Sequence, residues 1–171
     1  MKRYRLIQNK SGFSLIETVV AMLLVVLMSG MMVTGIRLAV KVYTTVVDKA
    51  NAQVLLTTTE TILRNELSSA KNIKVPDDKK AVSYQNSVTG QKWELSSPGT
   101  DIIKKLKKQD GTTKEDRLIQ ETTGTKNLHI RFDKIELFAG GRYIKVSGLR
   151  VTKGTQTLAG SETYTYCIGV E

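Results

Sequence analysis

The chain begins with a long apolar run and continues into segments with other patterns. From Phe13 to Ile36 the only charged residue is Glu17, and as a helix this segment would span about 36 Å. That length exceeds the ~30 Å hydrocarbon core of a bilayer. The pattern therefore predicts a membrane-spanning helix over residues 13–36.

The helical pattern continues past the apolar run. Apolar residues recur every three or four positions in two successive stripes, first Ile36, Val40, Tyr43, Val47, Ala50 and Val54, then Leu55, Ile62, Leu63, Leu67 and Ala70. The first helix-breaking signal is Pro76 with Asp77 and Asp78. We therefore expect one helix of about 60 residues, in which residues 37–75 extend the membrane-spanning part.

After Pro76 the pattern changes to short alternating runs separated by turn residues, which is typical of β-strands. The predicted strands are Ala81–Asn86, Gln91–Leu95, Leu118–Glu121, Asn127–Phe138, Arg142–Thr152 and Gln156–Val170. The segment FAGGRY supplies a hairpin turn between two strands. Residues 76–171 are therefore predicted to form a β-rich domain whose antiparallel sheet covers the C-terminal half of the helix, an α+β fold.

A polar segment, Ser96–Lys126, interrupts these strands and is predicted to be an irregular loop. It contains a basic cluster of Lys104, Lys105, Lys107 and Lys108, which is a candidate contact for phosphates or for an anionic wall polymer. Acidic residues lie nearby and no aromatic residue is interleaved, so a solvated face is the stronger expectation. Nucleic acid stays an open alternative partner.

Charge and cysteine content narrow the classes further. The chain carries 26 Lys and Arg against 16 Asp and Glu, a formal net charge of +10, which favours anionic partners without naming one. Its single cysteine, Cys167, excludes an intramolecular disulfide. We expect Cys167 to be a small buried apolar residue.

The sequence contains no recognisable catalytic constellation. His129 is the only histidine, and a packed or surface role is the stronger expectation than a metal ligand or base. A GxSxG elbow and a glycine-rich phosphate loop are both missing from the sequence. Trp93, the sole tryptophan, is expected to anchor the core of the sheet. We therefore expect no enzymatic activity, no cofactor and no metal site.

Glu17 and the residues before it do not fit a plain membrane anchor. A carboxylate in an apolar helix costs up to about 3 kcal/mol, so Glu17 is expected to face a partner. Four basic residues within the first ten positions precede Gly12, and this bias leaves the N-terminus in the cytoplasm. A cut after Gly12 would give Phe13 a free ammonium group, with which Glu17 of a neighbouring subunit could pair.

The stretch GFSLIE at residues 12–17, after a basic leader and before an apolar helix, resembles the class III signal of type IV prepilins and type II secretion pseudopilins. The resemblance implies that a prepilin peptidase removes residues 1–12 and that Phe13 is then N-methylated. It implies that Glu17 guides assembly with other subunits at an inner-membrane platform. It also implies a pilin-like lollipop fold, in a single-pass membrane protein whose C-terminal domain lies outside until the subunit joins a cell-surface filament.

The kind of subunit is less specified. The segment TTTETILRNELSSAKNI loosely resembles J-type minor pseudopilins, which favours a minor subunit of a type IV pilus, a competence pseudopilus or a secretion filament. The alternatives are a filament-displayed adhesin or DNA-binding subunit, and an uncleaved single-pass binding protein. The small residues Ala21, Ser29, Gly30 and Gly35 fit close packing between copies of the helix and ordinary lipid-facing variation equally well.

Overall fold

The computed structural model of the protein describes residues 14–108 and 112–167. One α-helix, α1, runs from Leu15 to Ser68, and at about 1.5 Å per residue it is roughly 81 Å long. Nine strands follow it within the described residues. The chain divides into two compact units, of which the first ends at Thr45 and the second begins at Val46. The prediction of one long helix followed by β structure is confirmed.

The strands form two antiparallel sheets instead of the single sheet predicted. Sheet A contains β1 (Ala70–Lys74), β2 (Ala81–Asn86), β3 (Lys92–Ser96), β4 (Ile103–Lys107) and β5 (Thr113–Arg117), in chain order. Sheet B contains β6 (His129–Arg131), β7 (Lys134–Phe138), β8 (Tyr143–Lys153) and β9 (Gln156–Cys167). In sheet B, β8 pairs with β9 along one edge and with both β6 and β7 along the other.

One stripe of the helix joins the core of the second unit. Its buried residues are three or four positions apart and are Ala52, Leu55, Leu56, Thr59, Leu63 and Leu67. They share a single cluster with buried residues of both sheets, such as Val82 of β2 and Val146 of β8. Each fully buried leucine stabilises this packing by about 1.5–3 kcal/mol. The first predicted stripe does not take part, because its members from Ile36 to Val54 all remain exposed.

The helix ends earlier than predicted, at Ser68 instead of near residue 75. The hydroxyls of Ser68 and Ser69 donate hydrogen bonds of 3.2 and 3.1 Å to the carbonyl of Asn65, which gives partners to the last helical turn. Residues 70–74 then pair with β2. Pairing between strands therefore overrides the helical pattern over these positions.

The polar segment predicted to be a loop contains two strands. Strand β4 pairs with β3, and β5 pairs with β4 over five residues each, so the ladder continues through this segment. Every side chain of β5 is exposed, and its sequence TKEDR contains no apolar residue. The strand therefore lacks the alternation of apolar and polar residues from which strands are predicted. The strand predicted at Leu118–Glu121 is wrong, because the pairing lies at Thr113–Arg117 and Leu118 itself only donates its amide to the carbonyl of Ile102 at 2.9 Å.

The strand predicted over Asn127–Phe138 is interrupted, since β6 and β7 are separate strands. The amide of Asp133 donates a hydrogen bond of 2.9 Å to the carbonyl of Ser147, and the carboxylate of Asp133 pairs with Arg150. This carboxylate occupies the space where a side chain at Gly148 would lie, and Gly148 has a φ of +69°. The glycine therefore lets β8 change partners from β7 to β6.

Candidate functional site

The first unit offers an apolar helix surface that the chain itself leaves uncovered. Every side chain from Ser14 to Val47 is exposed, and the exposed fractions of Leu15, Met22, Val26 and Met31 are 82%, 71%, 70% and 73%. By length and composition the helix is able to cross a membrane. Exposed apolar surfaces of this extent mark sites of contact with lipid or with protein.

Glu17, the only charged residue of the apolar run, has a hydrogen-bond partner in its own chain. Its Oε2 atom accepts a hydrogen bond of 2.9 Å from the backbone amide of Ser14. A side chain three residues into a helix that reaches back to the amide before it forms one half of a capping box. The signature S-x-x-E at residues 14–17 is a signal from which this bond could have been predicted. The cap gives Glu17 a structural role that needs no neighbour.

The predicted cleavage site, Gly12 and Phe13, lies outside the described residues. Cleavage after Gly12 and N-methylation of Phe13 therefore stay predictions. The pairing of Glu17 with a neighbouring Phe13 ammonium also stays a prediction.

The small residues of the apolar helix leave room for close approach. A Cβ atom built at Gly30 or Gly35 would meet nothing within 4 Å. The hydroxyls of Ser29 and Thr34 donate to carbonyls of the same helix, at 2.7 Å to Val25 for Ser29. This part of the surface therefore has no protruding side chain at Gly30 or Gly35, and the hydroxyls of Ser29 and Thr34 have hydrogen-bond partners within the helix. Such a surface fits both packing between copies of the helix and contact with lipid.

The basic cluster predicted from the sequence is divided between the two faces of sheet A. Lys104, Lys105 and Lys107 lie on β4, where alternation sends Lys104 to one face of sheet A and the other two to the opposite face. Lys104 pairs with Glu66, Lys105 with Glu115 at 3.3 Å, and Lys107 with Glu94 at 2.7 Å. Lys108 follows the strand and is exposed. The four lysines therefore do not share one face, and an anion contact by any of them stays a prediction.

Folding assembles a different basic surface, which we call the outer face of sheet A. Cross-strand neighbours place their side chains on the same face, and two neighbouring rows face away from the helix. The first row is Lys71, Gln85, Lys92, Lys107 and Thr113. The second row is Lys74, Ser83, Glu94, Lys105 and Glu115. Five lysines therefore share this face with two glutamates.

A bulge in β1 brings both of its lysines to the outer face. Regular alternation would place Lys71 and Lys74 on opposite faces because they are three residues apart. The register shifts between them, and Asn72 has a φ of +54° at this point. Bulges of this kind re-aim side chains. The sequence gives no local sign of the shift.

A cavity of about 740 Å³ opens on the same sheet. It is lined by Asn72, Ile73, Lys74, Ser83, Tyr84, Gln85, Lys92, Trp93 and Lys107. No acidic side chain belongs to this lining among the described residues. Gln85 is fixed in place, because its Oε1 accepts a hydrogen bond of 3.0 Å from Asn72 and its Nε2 donates one of 2.9 Å to the carbonyl of Gly90.

The inner face of sheet A joins the helix through one carboxylate. The hydroxyl of Tyr84 donates a hydrogen bond of 2.8 Å to Oε2 of Glu66, and Lys104 pairs with the other oxygen. Burial of the Tyr84 ring and the adjacent Glu66 charge raise the pKa of this tyrosine well above its usual value. The ammonium of Lys104 also lies 4.1 Å from the ring centre of Trp93. Trp93 is partly buried against the core, which agrees with its predicted role.

His129 takes part in a contact between the two sheets. Its Nδ1 lies 3.2 Å from Oδ2 of Asp101, and Arg117 lies 3.5 Å from the same oxygen. Asp101 precedes β4 and Arg117 ends β5 in sheet A, whereas His129 begins β6 in sheet B. Within the described ranges, 14–108 and 112–167, no group of three or more His, Cys, Asp or Glu residues is arranged to hold a metal ion. His129 and Arg117 therefore meet at one carboxylate, which links sheet B to sheet A.

Cys167 is exposed, so the prediction of a buried residue is wrong. It ends β9, where Tyr166 occupies the buried position and alternation turns Cys167 outward.

Burial raises the pKa of Tyr166, and the nearby Glu60 charge adds to the shift.

Comparison with protein-family models, with curated proteins and with solved structures gave no match for this chain.

Proposed function

We propose that this chain is a subunit of a type IV pilin-like filament, stored in the cytoplasmic membrane and assembled through its N-terminal helix. In this proposal prepilin peptidase cuts between Gly12 and Phe13, and Phe13 becomes the methylated N-terminus. The N-terminus lies in the cytoplasm and the β-rich part lies outside. A minor subunit of a pilus, a competence pseudopilus or a secretion filament is the favoured kind.

The observation that supports the proposal is a difference in burial along one unbroken helix. Up to Val47 its apolar side chains are exposed, and from Ala52 onward a stripe is buried under two sheets. Exposed apolar surface of this extent marks a contact with lipid or with protein. Lipid before assembly and neighbouring helices after assembly would both satisfy it. Together with the GFSLIE signal at residues 12–17, this division supports a subunit that leaves the membrane for a polymer.

The test is the identity of the mature N-terminus in the source cells. Mass spectrometry of the membrane and sheared fractions is expected to show a chain that starts at methylated Phe13. Replacing Gly12 by a bulky residue, as in Gly12→Ile, is expected to leave only the full-length form, because a side chain would block the close grip of a protease on the backbone. A wild-type product that still begins at Met1 would contradict the proposal.

The second candidate is an uncleaved, membrane-anchored binding protein. The capping bond between Glu17 and the Ser14 amide favours it, since Glu17 then has a role in a single chain. This candidate predicts an intact N-terminus and no subunits in sheared filaments. The same measurement therefore separates the two functions.

A further inference from the structure

Valine recurs at a strict seven-residue interval along α1. The positions are Val19, Val26, Val33, Val40, Val47 and Val54. A second row lies four residues before each valine and consists of Leu15, Met22, Ser29, Ile36, Tyr43 and Ala50. Every side chain of both rows is exposed. Two rows with this spacing correspond to the a and d positions of a coiled coil, and we call them together the valine seam.

The second unit does not cover its own part of the valine seam. The helix residues that pack under the sheets there include Ala52, Leu55, Leu56 and Thr59, whereas the seam residues Val47, Ala50 and Val54 are exposed. The two sets lie on different sides of the helix, because a and d positions form one stripe. The valine seam is therefore an apolar stripe without a cover among the described residues.

Lipid accounts for only the first half of the valine seam. A hydrocarbon core of ~30 Å holds about 20 helical residues, and counted from Leu15, where α1 begins, this length ends near Thr34. The seam continues beyond that point to Val54, in a stretch that contains the charged residues Arg37 and Lys41. Charged side chains are costly inside the hydrocarbon. The later part of the seam therefore marks contact with protein and not with lipid.

The residue types favour a second copy of this helix as the partner. β-branched residues at the a positions are typical of parallel two-stranded coiled coils, and Ile36 is the only β-branched residue of the other row. Neither row contains a charge, and among the flanking e and g positions from Ile16 to Gln53 only Arg37 is charged. A copy therefore meets no row of like charges, although the chain has a net charge of +10. Two copies inserted in one membrane also point the same way, as parallel pairing requires.

The size of the valine seam is sufficient for a stable pair. Burying one side chain of valine size is worth at least about 1.5 kcal/mol, which corresponds to roughly 60 Å² of apolar surface. Over the whole seam two chains would bury roughly 1,400 Å², within the range of stable interfaces. The part beyond the hydrocarbon gains by leaving water, whereas the part inside gains only by packing, because lipid tails are as apolar as valine.

We propose that two copies of this chain pair through the valine seam as a parallel, in-register coiled coil in and directly above the membrane. The pairing depends neither on cleavage nor on filament assembly, so it goes beyond the function proposed above.

Single cysteines on and off the valine seam test the register. Cys167→Ser removes the native thiol from both variants. Val40→Cys lies in the seam, and Val42→Cys is its matched control, since the two valines are 57% and 54% exposed on different sides of the helix. The full chain is reconstituted in phospholipid vesicles and oxidised mildly. Disulfide-linked dimers are expected to form at least about tenfold faster with Val40→Cys, because identical a positions face each other in a parallel pair.

Charge substitutions at the same two positions test the strength of the pair. Val40→Glu places a carboxylate inside the pair, whereas Val42→Glu adds the same charge outside it. Sedimentation equilibrium of the full chain in neutral detergent with a reductant gives the dissociation constant of the dimer. Val40→Glu is expected to raise it at least about tenfold, the equivalent of ~1.4 kcal/mol, and Val42→Glu to leave it within about twofold. Both valines are exposed in the single chain, and circular dichroism checks that both variants stay folded.

Four results would overturn the proposal. Equal cross-linking of the two cysteine variants would indicate random collisions. A chain that stays monomeric at all concentrations would assign the valine seam to a different partner. A dissociation constant unchanged by Val40→Glu would place the contact elsewhere, and a trimer or larger species would contradict a two-stranded coil. Because cleavage between Gly12 and Phe13 is measured separately, either proposal can fail without the other.

Discussion

The hydroxyl of Tyr84 and the carboxylate of Glu66 form a hydrogen bond of 2.8 Å that ties sheet A to the helix. Because the second oxygen of Glu66 pairs with Lys104, one carboxylate holds both β2 and β4. Lys104 in turn covers Trp93. The attachment of sheet A to α1 thus combines apolar burial with one shared polar contact.

Glu66→Ala is expected to lower the free energy of unfolding of the β-rich unit by about 1–3 kcal/mol, because it leaves the buried Tyr84 hydroxyl and Lys104 without their shared partner. Urea unfolding of the full chain in neutral detergent, followed by Trp93 fluorescence, measures this. The matched control is Glu115→Ala, which removes the partner of Lys105 on the more exposed side and is expected to cost less than about 1 kcal/mol. Equal effects of the two variants would contradict the role of Glu66.

The raised pKa of Tyr84 predicts that the free energy of unfolding decreases at alkaline pH. A tyrosine whose folded pKa lies above its unfolded value near 10 stabilises the fold fully below that pH, and the contribution is lost as the pH rises further. The free energy of unfolding is therefore expected to fall by up to about 1.4 kcal/mol per pH unit above pH ~10 for this group. Tyr84→Phe should make the slope shallower.

The control for the alkaline measurement is Tyr143→Phe, since Tyr143 is exposed at the tip of the β7–β8 hairpin. Urea midpoints at several pH values between about 8 and 11 give the slopes. Slopes that are unchanged by Tyr84→Phe would show that Tyr84 does not cause the alkaline loss.

Gly148→Ala is expected to destabilise the β-rich unit by about 2–4 kcal/mol. The new Cβ would overlap the carboxylate of Asp133, and the residue would also have to keep a φ of +69°. Gly154→Ala is the matched control, because Gly154 has a φ of +58° but nothing within 4 Å of a built Cβ. It should cost only the backbone strain, about 1–2 kcal/mol. Urea unfolding that ranks the two variants in reverse order would contradict this explanation.

Glu17 permits a test that separates charge from capping. Glutamine preserves the reach to the Ser14 amide, since a capping box accepts either Glu or Gln, but it carries no charge. If Glu17 pairs with an ammonium group on a neighbour, Glu17→Gln and Glu17→Ala should both reduce the subunit in sheared filaments by about tenfold, the equivalent of ~1.4 kcal/mol. Cleavage should continue in both variants.

Quantitative immunoblots of sheared filaments and N-terminal mass spectrometry provide the two readouts for Glu17. Normal incorporation of Glu17→Gln together with loss of Glu17→Ala would assign Glu17 to the cap and remove the charge-pair hypothesis.

Features set by neighbouring residues could be predicted from the sequence. The helix, strand β2 and the hairpin around Gly140 and Gly141 follow from periodicity and turn chemistry. The bond between Ser14 and Glu17 also has a local signature. These elements depend on contacts a few residues apart, which the sequence states directly.

Features set by distant pairing could not be predicted in the same way. Residues 70–74 have a helical pattern but pair with β2, and the charged β5 is a strand only because β4 is beside it. The outer face of sheet A collects lysines from three strands, and the bulge between Lys71 and Lys74 decides that both belong to it. A run such as residues 104–108 looks like one patch in sequence, although alternation divides it.

The exposure of Cys167 at the end of β9 has a practical consequence. As the sole cysteine of the chain, it is a native attachment point for one maleimide dye or spin label, opposite Tyr143 in the register of sheet B. Purification in air will also favour covalent pairs of chains joined through this thiol, so a reductant is needed wherever oligomeric size is measured.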